Sequence, residues 1–345
     1  MKIDNFKLAD NKTFIVAELS ANHGNNINIA KETILAAARA GADAIKLQTY
    51  TADTITLNSD NNYFKIKQNT IWDGKKLYDL YKEASLPWEW HKELMQTAKD
   101  ANLICFSSPF DKSAVDFLEE LNVPAYKVAS FEITDIPLIE YIASKQKPII
   151  ISTGIATLED IELAVTTCKK VGNEQIILLK CTSAYPADPS EINLLTMNDL
   201  AKRFNVLSGL SDHTLGITAP VAATSLGAVM IEKHFILNKS IGGADSSFSL
   251  DESEFTQMVK AVRETQNLLG KVTYELNEKT VRSRELSRSL FITEAIKKGE
   301  IFTEKNIRSV RPSFGLHPKY LKEILGKTCN KNLKKATPLA LEDVE

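Results

Sequence analysis

Three glutamates, two histidines and a set of lysines and serines in this 345-residue chain stand where short apolar runs end. Glu18 closes Phe14-Ile-Val-Ala17, and Lys46 with Gln48 closes Ala44-Ile45. Ser108 follows Leu103-Ile-Cys-Phe106, while Lys127 sits inside Ala125-Tyr-Lys-Val128 with Ser130 and Glu132 just beyond. Ser152 ends Pro148-Ile-Ile-Ile151, and Lys180, Ser183 and Tyr185 follow Ile176-Ile-Leu-Leu179. His213 follows Val206-Leu-Ser-Gly209 through Ser211-Asp212, and Glu232 with His234 ends Ala228-Val-Met-Ile231. A lysine inside an apolar run must find a partner, so solvated loop starts explain these residues poorly. Lysines beside serine hydroxyls can hold the oxygens of an anion, and carboxylates can move a proton. A strand-end lysine could instead form a Schiff base. Two imidazoles on successive strands could be structural, or could bind Mn, Mg or Co in an open site.

These residues need a scaffold that brings strand ends together. The eight apolar runs alternate with helical patterns over 29–40, 87–101, 112–121, 136–145, 158–171 and 218–227, which predicts parallel βα units closed into a (β/α)8 TIM barrel. The carboxyl ends of such strands share one rim. Residues two apart on a strand face one side, so Lys46 pairs with Gln48 and Glu232 with His234. Gly41 follows the first helical pattern where a left-handed stop is required. The stretch from 49 to about 85, with Tyr50, Trp72, Asp73, Tyr78 and Tyr81, is long enough to be a lid or a sugar-facing loop.

A charged helix is expected from Glu252 to about Leu269, completing a barrel domain over 1–268. A polar linker over 269–288 leads to a small module over 289–345, too small to bury much core alone and expected to pack on a barrel. Arg308 and Arg311 in that module could reach a site or simply face water.

The bulk chemistry narrows the partners. Forty-two basic against 44 acidic residues leave a formal charge of -2, so no global field recruits nucleic acid or an anionic membrane. The four cysteines show no C-x-x-C pairing and fit a reducing compartment. No apolar run approaches the ~18 residues of a membrane span, and the opening residues lack a signal segment, so a cytoplasmic location is expected.

The strings Ala17-Glu-Leu-Ser-Ala-Asn-His-Gly24, Lys46-Leu-Gln-Thr-Tyr50, Ser107-Ser-Pro-Phe110, Tyr126-Lys-Val-Ala-Ser130, Ser152-Thr-Gly154, Cys181-Thr-Ser-Ala-Tyr-Pro186, Leu210-Ser-Asp-His-Thr-Leu215 and Glu232-Lys-His-Phe235 resemble the sialic acid synthase family, in family order. The tail resembles that family's antifreeze-protein-like (SAF) domain. The resemblance implies a domain-swapped homodimer in which a barrel rim binds phosphoenolpyruvate, an amino sugar and a divalent metal. Lys46, Lys127, Ser108, Ser130, Ser152, Ser183 and Tyr185 match positions that hold phosphoenolpyruvate, although Ser183 stands where the family often has Asn. His213 and His234 match its metal ligands. Gln48, Tyr185 and Asp245 match sugar-side positions, and Arg311 matches the arginine that recognises an acetamido group across the dimer. Glu18, Glu132 and Glu232 are the nearby carboxylates and the expected catalytic ones: one should take the proton from the attacking water while another holds sugar hydroxyls, with the roles left open among them.

Further strings, including Trp72-Asp-Gly74, Leu77-Tyr-Asp-Leu-Tyr81, Gly243-Ala-Asp-Ser-Ser-Phe-Ser-Leu250 and Phe314-Gly-Leu-His-Pro-Lys-Tyr320, resemble one branch of the family, which implies 2,4-diacetamido-2,4,6-trideoxy-L-altrose as the sugar. Precursors of other nine-carbon sugars are the nearest rivals. A catalytically dead carbohydrate-binding scaffold is the rival of a different class.

Overall fold

The computed structural model describes residues 1–10, 12–67 and 73–345, so Trp72 of the expected lid lies outside the described residues. Two compact units emerge, Met1–Gly270 and Lys271–Glu345.

The first unit is a closed barrel of eight parallel strands: β3 (Phe14–Glu18), β4 (Ala44–Thr49), β5 (Ile104–Pro109), β6 (Tyr126–Val128), β7 (Ile149–Ser152), β8 (Ile176–Cys181), β9 (Leu207–Asp212) and β10 (Met230–His234), with β10 pairing back onto β3. The expected barrel is therefore present. Several strands run further than their apolar runs, because the ladder continues through the polar rim: Lys233 pairs with Asp212 and His234 with Glu18. Ahead of the barrel, a two-stranded hairpin of β1 (Lys2–Ile3) and β2 (Phe6–Lys7) was not legible in the sequence. Its Ile3 and the following Leu8 pack with Phe14, Val16, Ile104, Phe106, Ile150, Ile177 and Met230, the inward layer of the barrel.

Helices α1 (Ile27–Arg39), α2 (Ala52–Ile55), α3 (Leu77–Ala84), α4 (His91–Asp100), α5 (Lys112–Glu120), α6 (Ile136–Ser144), α7 (Leu158–Lys170), α8 (Leu195–Phe204), α9 (Thr218–Ser225) and α10 (Glu252–Leu269) belong to this unit. The outward strand residues meet the apolar stripes of the helices: Leu47 and Ile231 pack with Ile34 and Phe255, and Val128 and Leu178 with Leu138 and Val165. Helix α1 ends as its sequence dictates, with Gly41 at φ +87° and its N–H bonded to the Ala38 carbonyl at 3.0 Å. The long second connection is not a bare loop, since it folds into α2 and α3.

The second unit pairs β11 (Ser289–Ile292) with β12 (Ile307–Val310) antiparallel, and adds α11 (Glu278–Arg284) and α12 (Leu321–Ile324). Its core is small: Leu290, Ile292, Ile296, Phe302, Ile307, Ile324, Leu333 and Leu339. Helix α11 falls in the stretch expected to be a linker, and all its residues are exposed.

Candidate active site

Strand parity decides which polar residues meet. On β4 the inward residues are Lys46 and Gln48, on β10 Glu232 and His234, on β3 Glu18, and on β6 Lys127. Parity excludes Lys180 from this group: Leu179 lies in the barrel interior, so Lys180 leans outward and bonds the Cys181 carbonyl. Two strand-end lysines, rather than three, therefore enter the site.

Lys46 is buried between two carboxylates, with its ammonium 3.0 Å from Glu18 Oε2 and 3.0 Å from Glu232 Oε1. It also stands 3.4 Å from Ser108 Oγ. Gln48 Nε2 donates to Glu18 Oε1 and to Ser20 Oγ, each at 3.0 Å. Lys127 donates to Ser152 Oγ at 2.7 Å and approaches Glu232 at 3.9 Å, while Ser211 donates to Glu232 at 3.3 Å. Beside Lys127, the Ser183 hydroxyl donates to Ser130 Oγ at 2.8 Å, and the Ile155 N–H points to the same oxygen. Gly154 makes this pair possible: a methyl group there would overlap the Ser183 hydroxyl and stand 2.7 Å from Ser130 Oγ.

The buried charges do not share one environment. Burial works against the Glu232 carboxylate, but Lys127 and Lys46 outweigh it and hold it below its ordinary value. Burial pushes Glu18 up to about 7, opposed by Lys46 and reinforced by the like charge of Glu232. Glu132, on the turn after β6, is also pushed up to about 7 by burial, with Lys127 opposing. Its Oε2 has no hydrogen-bond partner among the described residues, and neither has Glu232 Oε2. A rim with two carboxyl groups poised near neutrality beside one firmly ionised is suited to proton transfer.

The two imidazoles face each other with ring centres 5.2 Å apart. His213 Nδ1 donates to the Thr182 carbonyl at 3.0 Å, so a neutral ring carries its lone pair on Nε2; burial opposes charge on this ring, but Cys181 and the Thr182 carbonyl outweigh it and hold its value above the ordinary one. Burial first, and then nearby cations, hold His234 far below its usual value, so it is neutral. Its Nδ1 finds no hydrogen-bond partner among the described residues, and Asp245 Oδ2 stands 3.7 Å away. Among the described residues no group of three or more His, Cys, Asp or Glu could by itself hold an ion. A neutral imidazole with an orphaned nitrogen, beside a second imidazole that frees Nε2 once it gives up its proton, fits an open site completed by substrate and water rather than a closed structural one.

The sequence assigned no part to Phe248, which lies against His234 at 4.9 Å and Tyr185 at 5.0 Å and forms an aromatic wall behind the imidazoles. Tyr185 lies 4.6 Å from the His213 ring, and Asp245 accepts from the Ala21 N–H at 3.3 Å. Arg311 follows β12 in the second unit and is exposed.

Residues 33–274 match the NeuB family model, and residues 287–345 match the SAF domain. The chain belongs to the NeuB family. Among members of the NeuB family, it is 52% identical over 332 residues to a pseudaminic acid synthase of Helicobacter pylori, covering 96% of this chain and 97% of that one. It is 50% identical over 333 residues to a pseudaminic acid synthase of Campylobacter jejuni, covering 96% of each. The crystal structure of an N-acetylneuraminic acid synthetase from Leptospira borgpetersenii superposes with a TM-score of 0.73 at 30% identity, over 82% of this chain and 94% of that one.

Proposed function

We propose that this chain is a pseudaminic acid synthase. It joins phosphoenolpyruvate to 2,4-diacetamido-2,4,6-trideoxy-β-L-altropyranose and water, giving pseudaminate and phosphate. The likeness to pseudaminic acid synthases over 96% of the chain carries this reading of the sugar. The charged rim supports the reaction class independently, because an enol phosphate and an aldehyde need cations, hydroxyls and a movable proton within one pocket.

In this reading Lys46, Lys127, Ser108, Ser130, Ser152, Ser183 and Tyr185 hold the phosphate and carboxylate of phosphoenolpyruvate. The hydrogen bonds among Lys127, Ser152, Ser130 and Ser183 support it, since the same donors turn toward an anion without moving far. Carbon 3 of phosphoenolpyruvate bonds to the sugar aldehyde carbon. Water then adds at carbon 2, and the bond from carbon 2 to the phosphate oxygen breaks. Glu18 or Glu132 takes the proton from the attacking water, because each is poised near 7, while Glu232 stays ionised and neutralises the lysines. Gln48, Tyr185 and Asp245 hold the sugar. His213 and His234 would hold a divalent ion, Mn, Mg or Co, which when bound supplies Lewis acidity to the sugar carbonyl.

The proposed organisation is a barrel domain over 1–268, a linker over 269–288 and a small domain over 289–345. The proposed assembly is a domain-swapped homodimer in which Arg311 of one chain serves the other's sugar. A cytoplasmic location is supported by the four cysteines, all buried and free. No described helix is long and apolar enough to cross a membrane.

The direct test offers phosphoenolpyruvate with the diacetamido altrose, with the legionaminate precursor and with N-acetylmannosamine, and measures phosphate release. Turnover with the altrose derivative at the highest kcat/KM is expected. Preference for either other sugar would reassign the substrate, and no turnover with any would leave a scaffold without chemistry.

A further inference from the structure

The polar floor of the rim gives way, one residue pair higher, to aromatic rings. On β4 the inward series Lys46, Gln48 continues to Tyr50, and on β5 Phe106, Ser108 continues to Phe110. Gln48 is paired with Ser108 and Thr49 with Pro109, so Tyr50 and Phe110 are side by side in the next layer. Their ring centres are 4.9 Å apart at 66°. Helix α3 brings Tyr81 across from the second connection, its ring 6.0 Å from Tyr50 and nearly perpendicular to it. Tyr50 is buried between the other two and its carbonyl accepts from Trp88 Nε1 at 3.2 Å, whereas Phe110 and Tyr81 remain partly exposed.

These rings overlook the site. Tyr50 continues the inward face of Gln48, whose amide bonds Glu18 at 3.0 Å, and Phe110 continues that of Ser108, which stands 3.4 Å from the Lys46 ammonium. The layer therefore stands one residue pair above the level of Gln48, over the ion pair of Glu18 and Lys46. The polar groups of these neighbouring strands lie below it: Glu18 pairs with Lys46 in the ladder, and Lys46 and Gln48 lie opposite Phe106 and Ser108.

The height of the layer decides what meets it. Two strand residues rise about 6.6 Å, close to the ~6 Å length of an extended six-carbon chain. With the sugar aldehyde at the floor, where it must meet the enol carbon, carbon 6 arrives among the rings. A methyl group suits that surface, whereas a hydroxyl loses its water there and faces the Phe110 ring, which has no polar atom.

We propose that Phe110 and Tyr81, braced by Tyr50, are specificity-determining residues that receive the carbon 6 methyl group of the sugar and select a 6-deoxy substrate over its 6-hydroxy counterpart. This rests on the proposed function and deepens it. Tyr81 acts through its ring and its position on α3; its hydroxyl is not required.

The test compares two sugars that differ only at carbon 6, the diacetamido 6-deoxy altrose and its 6-hydroxy analogue, with the full-length protein. Wild-type protein is expected to prefer the 6-deoxy sugar by roughly 10- to 100-fold in kcat/KM, the range one hydroxyl buried without a partner produces. Phe110→Ala and Tyr81→Ala should each cut that preference by about 5-fold or more through the 6-deoxy sugar, with the KM for phosphoenolpyruvate within about twofold of wild type. Phe110→Leu and Tyr81→Phe, which keep the apolar surface, should retain it and guard against a variant that merely folds poorly. An unchanged preference in both alanine variants, or losses shared equally with phosphoenolpyruvate, would overturn the assignment. If wild-type protein turns over the 6-deoxy sugar but shows no preference, this inference alone falls. If it releases no phosphate with that sugar, the proposed function falls with it.

Discussion

Between the two imidazoles' strands lies a charge pair that never touches water. Asp212 and Lys233 face each other in the β9–β10 ladder, with both side chains wholly buried and ion-paired. They alternate with His213 and His234, so the pair points outward where the imidazoles point inward. Lys233 Nζ also donates to the Thr214 carbonyl at 2.6 Å, and Asp212 Oδ1 accepts from Thr214 N at 2.9 Å and Thr214 Oγ1 at 2.8 Å. Removing one partner of a buried pair costs about 3–5 kcal/mol, while replacing both by apolar side chains is often close to neutral.

The structure orders the variants within that range. Lys233→Met leaves a carboxylate that still accepts two hydrogen bonds from Thr214, so it belongs near ~3 kcal/mol. Asp212→Leu leaves an ammonium with one carbonyl, so it belongs near ~5 kcal/mol. At about 2–4 °C per kcal/mol for a unit this size, thermal unfolding should shift down by roughly 6–20 °C, less for Lys233→Met than for Asp212→Leu. The double variant should recover most of the loss. Because the pair fixes the strands that carry both imidazoles, Mn affinity by calorimetry should fall about 10- to 100-fold in either single variant. Single variants within 1 kcal/mol of wild type, or a double variant whose loss equals the sum of the two, would refute the reasoning.

Four further outcomes are expected. Glu18 and Glu132, both pushed up to about 7, are active as bases only when deprotonated, so kcat/KM should fall as pH drops below about 7 rather than below the ordinary carboxylate range, and Glu132→Gln should alter that acid limb if Glu132 is the base. The same raised values favour protons in the folded chain, so these two groups should detract from stability as pH rises from about 4.5 to 7, readable in the midpoint of urea unfolding. Gly154→Ala should separate Ser183 from Ser130 and raise the KM for phosphoenolpyruvate about tenfold or more while leaving the sugar KM nearly unchanged, checked by steady-state kinetics. Arg311→Ala should lose sugar affinity and keep phosphoenolpyruvate binding, and mixing it with Glu18→Ala should restore some activity if chains share sites; equal loss of both substrates would contradict the role of Arg311.

Much of the site was legible because a strand's period of two is written in the sequence. Lys46 with Gln48, and Glu232 with His234, needed only the knowledge that one face turns inward. What the period does not contain is the phase between neighbouring strands. Lys180 looks like Lys46 and Lys127 in its own run, and only the inward placement of Leu179 reveals that it faces the helices. The Asp212–Lys233 pair and the Tyr50–Phe110 layer depend likewise on cross-strand register, which a single chain of letters does not display. Phe248 reaches the imidazoles from a loop, with no periodicity to announce it. The N-terminal hairpin has two-residue strands, too short for any pattern, and is held by packing beneath the barrel.

Crystals grown with Mn and phosphoenolpyruvate, measured at the manganese absorption edge, test the account most directly. One anomalous peak within bonding distance of His213 and His234, with the phosphate against Lys127, Ser130, Ser152 and Ser183, is the predicted result. Manganese bound away from both imidazoles, or phosphoenolpyruvate outside the rim, would contradict it.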